Sequence, residues 1–429
     1  MLKYLTMIKI SPEETILLAK LRHVEELERL SVCTGFIETI GLMIHQLQAE
    51  RGVSCLYIAS SGKRLAQERA ELITQNVALV EHFRVVLQQH LDESTSADAK
   101  QLTLISWILL GLQQLTSFRH QVSLMKISFA DCMQSYTRLI GSLISLIFEI
   151  TDSTVNSQVS TYLVALYNLV QGKEFAGQER AVGAYMLGSG AVQLANQQRI
   201  IDLIELQERH FEAFNQFAVD DLKQAWAKIE HGTVSKQHQS YRAKLSKGKD
   251  DQALKVNEAD DWFDICSQRL TEIWGLQGQL IHLMHETLNT LIKNAKYDLE
   301  KTRKYLNELK RKPQTTSELD STFFNLSIPI ENAFSFNSDE KLQSYPMESI
   351  IHLLQVQSQQ IAKIESELTG TKKALAERKQ IEHAKGLVMS NMGVSEVEAY
   401  KVMRKTAMEQ NRKIIEIAEN ILSLAKVKT

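Results

Sequence analysis

Two arginines stand out through the residues that surround them. Glu50-Arg-Gly-Val-Ser-Cys-Leu-Tyr-Ile-Ala-Ser60 aligns with Glu179-Arg-Ala-Val-Gly-Ala-Tyr-Met-Leu-Gly-Ser189, with Gln48 and Gln178 just upstream in slightly different register. On a helix, the neighbours of Arg51 three and four residues away are Leu47, Ser54 and Cys55, and those of Arg180 are Ala176, Gly177, Gly183 and Ala184. Both guanidinium groups therefore sit on apolar or small faces that turn inward. A buried guanidinium is costly unless something accepts its protons. Two kinds of chemistry meet that need. One is a structural ion pair with a glutamate on another helix. The other is convergence of both arginines on a small planar oxyanion, whose geometry matches the guanidinium fork and for which the small neighbours leave room.

A second cluster of functional residue types closes the chain. From residue 371 onward there are 12 Lys+Arg against 7 Asp+Glu, a balance of +5 in a chain whose total is −2, so the rest carries −7. A compact basic tail on an acidic body suggests a polyanionic partner, although a solvated basic helix face gives the same composition. The order of the residues is more telling. Ala384-Lys-Gly-Leu-Val-Met389, followed by Glu398-Ala-Tyr400 and Met403-Arg-Lys-Thr-Ala-Met408, resembles the ANTAR domain, an RNA-binding antiterminator module of about fifty residues. The resemblance implies a three-helix fold over 377–425 that binds leader-RNA stem-loops. Ala384 and Gly386 would let RNA approach the backbone, and Lys385, Arg404, Lys405 and Arg412 would meet phosphates or base edges. Met389, Tyr400 and Met408 would offer soft surfaces to unstacked bases, or else pack in the three-helix core.

The segment from about 37 to 300 resembles the NIT (nitrate- and nitrite-sensing) domain. The likeness runs through His45-Gln-Leu-Gln-Ala-Glu-Arg-Gly52, Tyr136-Thr-Arg-Leu-Ile140, Gln178-Glu-Arg180, Gln207-Glu-Arg-His-Phe-Glu-Ala-Phe214 and Trp262-Phe-Asp264. It implies an all-α fold of two four-helix bundles, with nitrate or nitrite as effector held by arginines between helices. Arg51 and Arg180 match the arginines of the repeat helices, and Arg242, in Ser240-Tyr-Arg242, is a third candidate. Arg269 reads as a packing residue.

The elements that must position these groups are helical. Only four prolines occur, 44% of residues are apolar, and no segment sustains a two-residue alternation. Ser11-Pro12-Glu13-Glu14 starts a helix through a capping box with proline at the first helical position, and Ser60-Ser-Gly62 ends the helix that follows. Further helices are expected at about 64–92, 97–126, 129–151, 154–171, 177–188, 191–229, 235–245 and 260–310, making a sensor over 12–310. A Ser-, Thr- and Asn-rich linker spans 311–346.

From Met347 through Ile350, Leu354, Gln357, Ile361, Ile364, Leu368, Thr371 and Leu375 the apolar steps alternate three and four, a heptad seam over 347–376 that suggests pairing into a homodimer or packing on the sensor. In the tail, Gly393 supplies a left-handed helix end, Ser395 and Glu398 form a capping box, and Asn411 caps a third helix carrying Ile414, Ile417, Ala418 and Ile421.

Cys33, Cys55, Cys132 and Cys266 lack paired spacing and read as reduced thiols, and the longest apolar run, Leu139 to Phe148, is too short to cross a bilayer. No metal-ligand spacing, phosphate loop or nucleophile motif is present, so neither an enzyme nor a cofactor is expected. The expectation is a cytoplasmic, nitrate- or nitrite-responsive regulator, without membrane contact, that binds leader RNA and prevents transcription termination in a nitrate-assimilation operon. The competing readings are a sensor-regulator of another small anion acting on DNA or through protein partners, and a helical scaffold that dimerises through 347–376 and binds neither nitrate nor RNA. The acidic body is expected to hold the basic tail until the anion binds.

Overall fold

A computed structural model describes residues 11–93, 99–151, 156–190, 192–247, 254–311, 377, 380–394 and 396–427. Among these the regular structure is entirely α-helical: α1 Pro12–Ala59, α2 Ala66–Glu93, α3 Ala99–Ser123, α4 Phe129–Thr151, α5 Ser157–Ser189, α6 Leu194–Phe217, α7 Asp220–Glu230, α8 Thr233–Lys247, α9 Glu258–Arg311, α10 380–392, α11 Glu396–Glu409 and α12 Ile414–Val427. The 311–346 linker beyond Arg311, the 347–376 seam and Ser395 lie outside the described residues.

Local chemistry explains most boundaries. At the start of α1 the Glu14 amide donates to Ser11 Oγ at 3.2 Å and the Ser11 amide donates to the Glu14 carboxylate at 3.3 Å, the reciprocal pair expected of a capping box. Its end is a left-handed turn through Ser61 and Gly62, whose φ values are 52° and 82°. Two expected boundaries differ. The helices expected at 154–171 and 177–188 are one continuous α5, because its glycines serve close packing: a Cβ on Gly172 would stand 2.5 Å from the Phe211 ring. The stretch expected as one helix over 191–229 is two, parted at Ala218 and Val219, whose extended backbone ends α6 and opens α7.

The described residues form two compact units. The first includes the start of α1 and the end of α9, where Ile16, Val24, Leu27, Leu299 and Leu306 are buried and Lys296 pairs with Glu28 at 2.6 Å. The second holds the rest of the sensor together with the C-terminal helices. Part of α1 is apolar and long enough to cross a membrane by composition, but more than half of that window is buried inside the protein, as suits a core helix.

The second unit is built from a repeated plan. Glu50 on α1 receives Asn76 from α2, a two-pronged Arg119 from α3 at 2.6 and 2.7 Å, and the Tyr136 hydroxyl from α4 at 2.7 Å. Glu179 on α5 receives Gln207 from α6 and a two-pronged Arg242 from α8, both bonds 2.7 Å. The guanidinium of Arg51 donates to Thr137 Oγ1 on α4, and that of Arg180 to Ser267 Oγ on α9. Helices α1–α4 thus correspond to α5, α6, α8 and α9, two four-helix bundles with α7 as an addition. Each buried carboxylate is satisfied by a charge-assisted fork, the condition under which burying it is tolerable.

The C-terminal helices pack on their own core of Ala384, Val388, Ala399, Met403 and Ala418, with Ile414 and Ile421 against it. Gly393, at φ 65°, ends α10 in the left-handed conformation its sequence predicts. Asn411 has a different role from the expected helix start. With φ 48° it closes α11, the Arg412 amide reaching back to the Ala407 carbonyl at 2.9 Å, and α12 begins three residues later.

Candidate functional site

Arg51 and Arg180 meet where α1 crosses α5, and each passes over a glycine of the other helix. A Cβ on Gly52 would lie 2.3 Å from an Arg180 terminal nitrogen, and one on Gly177 would lie 2.8 Å from an Arg51 terminal nitrogen. The small residues beside each arginine therefore make room for the opposite guanidinium. Both side chains are buried, Arg51 completely.

Their partners differ. Arg51 forks onto Glu174 of α5 at 2.5 and 3.1 Å, and the same carboxylate accepts the amides of Gln48 at 2.8 Å and Gln178 at 2.9 Å. The structural ion pair left open by the sequence is therefore present for Arg51. Arg180 donates only to neutral oxygens, Ser267 Oγ at 2.9 Å and the Gln48 carbonyl at 2.7 Å, while its guanidinium lies over the Phe263 ring at 4.8 Å. Burial lowers its pKa to about 10, and nearby Arg51 acts in the same direction.

Three further groups that the sequence reading did not select stand here. Lys173 is wholly buried, its Nζ makes no hydrogen bond and lies 4.7 Å from the centre of the Trp274 ring. Burial pushes it down to about 7, against the pull of Glu174 and with the push of Arg180. His45 stacks parallel to Trp274 at 4.7 Å and is held neutral, its pKa driven to about 3 by burial and then by Lys173 and Arg180. Arg51, Arg180 and Lys173 thus share this interior with one carboxylate, Glu174, which is paired with Arg51.

Arg242 is placed elsewhere. It lies on α8 in the ion pair with Glu179, and it also donates to Gln207 at 2.7 Å. Burial disfavours the Glu179 carboxylate, but Arg242 and His238 outweigh it and hold its pKa at about 2. The corresponding Arg119 pairs with Glu50 in the same way, so Arg242 buttresses the helix that carries Arg180. Arg269 is buried with its guanidinium 5.9 Å from the Phe211 ring.

The C-terminal candidates divide into three sets. Ala384 is in the module's core and Met389 packs against it. Lys385, Tyr400 and Arg404 face the sensor helix α6: Arg404 pairs with Glu205, and the Arg209 guanidinium lies over the Tyr400 ring at 4.6 Å. Lys401 joins them through Asp202 at 2.5 Å, and Lys385 is buried beside a cavity of about 330 Å³ that Leu206 and His210 also line. Gly386, Lys405, Met408 and Arg412 are exposed, with Arg412 donating to Glu416 at 2.8 Å. Among the described residues no cluster of His, Cys, Asp or Glu has the arrangement to hold a metal ion.

Residues 42–285 match the family described as nitrate and nitrite sensing (NIT), and residues 369–422 match the ANTAR domain. A relative, the nitrate regulatory protein of Klebsiella oxytoca, is 26% identical over 419 residues, covering 96% of each chain. The solved structure of the NasR transcription antiterminator shares the fold, with a TM-score of 0.58 and 24% identity over 96% of this chain and 98% of that one.

Proposed function

The chain belongs to the NIT family of nitrate and nitrite sensors and carries an ANTAR domain, and from this and its geometry we propose that it is a nitrate-responsive antitermination regulator whose sensor withholds the RNA-binding face until the anion arrives. The effector is nitrate or nitrite, bound in the interior where Arg51 and Arg180 cross. The output is binding of leader-RNA stem-loops, so that transcription continues through a nitrate-assimilation operon. The protein works in the cytoplasm, as a homodimer, without enzymatic activity.

The observation that carries this reading is the contact between α11 and α6. Tyr400, Lys401 and Arg404, on the basic face suited to RNA, are engaged by Arg209, Asp202 and Glu205 of the sensor. These carboxylates occupy cations that a phosphate backbone would otherwise contact, so the docked arrangement competes with RNA. Exposed pairs of this kind contribute only about 0.2–1 kcal/mol each, which suits a contact that must be reversible.

Coupling to the anion needs only a ligand that prefers the undocked arrangement. Helix α5 links the two places, since it carries Lys173, Glu174 and Arg180 at the crossing and Phe175 at the cavity beneath the RNA face. The test is RNA binding by the full chain with and without nitrate. Nitrate is expected to raise the affinity, and an unchanged affinity would refute the reading.

A further inference from the structure

The two halves of the helix crossing are not equivalent. The offset that brings Glu50-Arg51 onto Glu179-Arg180 brings His45 onto Glu174. On α5, Glu174 reaches across and neutralises Arg51. The matching position on α1, which the repeat turns toward Arg180, holds an imidazole instead of a carboxylate. Arg180 is left without an ion-pair partner among the described residues, its Nε without any hydrogen-bond acceptor. Lys173 adds a second cation whose nitrogen makes no hydrogen bond. One half of the crossing is thus complete, and the other has the cations without the anion.

We propose that the effector anion seats in the Arg180 half of the crossing, between Arg180, Lys173 and the His45–Trp274 stack, where it takes the part that the Glu174 carboxylate plays beside Arg51. The proposal rests on the nitrate reading above and says where, and with which residues, the ion is held. Nitrate resembles a carboxylate in being a flat monoanion with oxygens spaced for a guanidinium fork. The indole and imidazole planes bound the seat with flat surfaces, and one added negative charge neutralises Arg180 when Lys173, lowered to about 7, is present as the amine. Burial and Arg180 lower Lys173 to about 7 against the pull of Glu174, and His45 is the other ionisable group coupled to it. A tetrahedral ion does not fit between the flat planes. Arg51 acts at one remove: it is a positioning residue that keeps Glu174 out of the seat.

Thermal melts of the full chain in sodium nitrate, sodium chloride and sodium sulfate, at matched ionic strength, test this with two variants. The wild type should melt higher in nitrate than in chloride, and sulfate should give no such rise. Lys173→Met removes an unpaired buried ammonium, so it should melt above the wild type in chloride and lose the nitrate response. His45→Glu supplies the missing carboxylate from the protein itself, and should likewise melt higher in chloride and ignore nitrate. A Lys173→Met protein that keeps the wild-type nitrate shift overturns the seat, as does one that melts below the wild type in chloride, which would make the lysine structural. If His45→Glu does not fold, Lys173→Met decides alone. A wild type indifferent to nitrate overturns the sensing reading instead, and the chloride melts of the variants still judge the seat.

Discussion

Arg51→Ala removes the cation from a pair whose side chains are only 0% and 2% exposed. Around Glu174 it leaves two amide donors, Gln48 and Gln178, which hydrogen-bond the carboxylate without neutralising it. Breaking one partner of a buried pair costs about 3–5 kcal/mol when the survivor is left uncompensated; two amides and two nearby cations remain to Glu174, so the loss here is expected nearer about 2 kcal/mol. A second consequence follows from position. Glu174 adjoins Lys173 and shares α5 with Arg180, so a carboxylate released from Arg51 has two buried cations to turn to. It then fills the anion seat, and the variant becomes blind to nitrate although Arg51 never touched the ion. Adding Glu174→Gln removes the intruding charge. The double variant should regain a nitrate-dependent shift of the melt. A single variant that loses less than about 1 kcal/mol would refute the buried-pair argument. A double variant that is stable yet still nitrate-blind would show that Arg51 binds the ion itself.

The docking contact and the buried lysine give two more outcomes. Reversing the sensor's charges with Asp202→Lys and Glu205→Lys should raise RNA binding in the absence of nitrate, by up to about thirtyfold if each of the two lost pairs contributes up to about 1 kcal/mol, as read by a gel shift with leader RNA. Lys173 has a folded-state pKa of about 7 against 10.5 for an ordinary lysine, so between these values the unfolded chain binds the extra proton and stability rises with pH. Below about pH 7 the full penalty remains, a ceiling of roughly 5 kcal/mol at about 1.4 kcal/mol per pH unit. The stability difference between Lys173→Met and the wild type should therefore shrink from pH 7 to pH 10 in urea titrations.

How much of this the sequence disclosed depends on how local each cause is. The capping box at Ser11, the left-handed turn at Gly62 and the helix end at Gly393 are decided by residues a few positions apart, and the structure has all three. The inward placement of Arg51 and Arg180 follows from helical spacing alone. The break expected between residues 171 and 177 is absent because a glycine that ends a helix and one that admits a neighbour look the same in a single chain. Here Phe211 and Arg51, far away in sequence, fill the space. Glu174 was not selected because nothing near it marks it as the partner of an arginine over a hundred residues away. The same holds for Arg119 and Arg242, whose matching roles appear only once α3 and α8 stand beside the repeat helices. The asymmetry of His45 and Glu174 could have been found, since extending the repeat six residues upstream of each arginine aligns them. Asn411 was misplaced by one helix because asparagine serves both at helix starts and in left-handed ends.

The central claim is that the sensor restrains the RNA module and the anion relieves that restraint. It is tested most directly by titrating the full chain with leader RNA at fixed salt, over a range of nitrate concentrations, beside a fragment comprising residues 371–429. Nitrate should bring the affinity of the full chain up toward that of the fragment and leave the fragment unchanged. A full chain that binds RNA as tightly as the fragment without any nitrate would contradict the account.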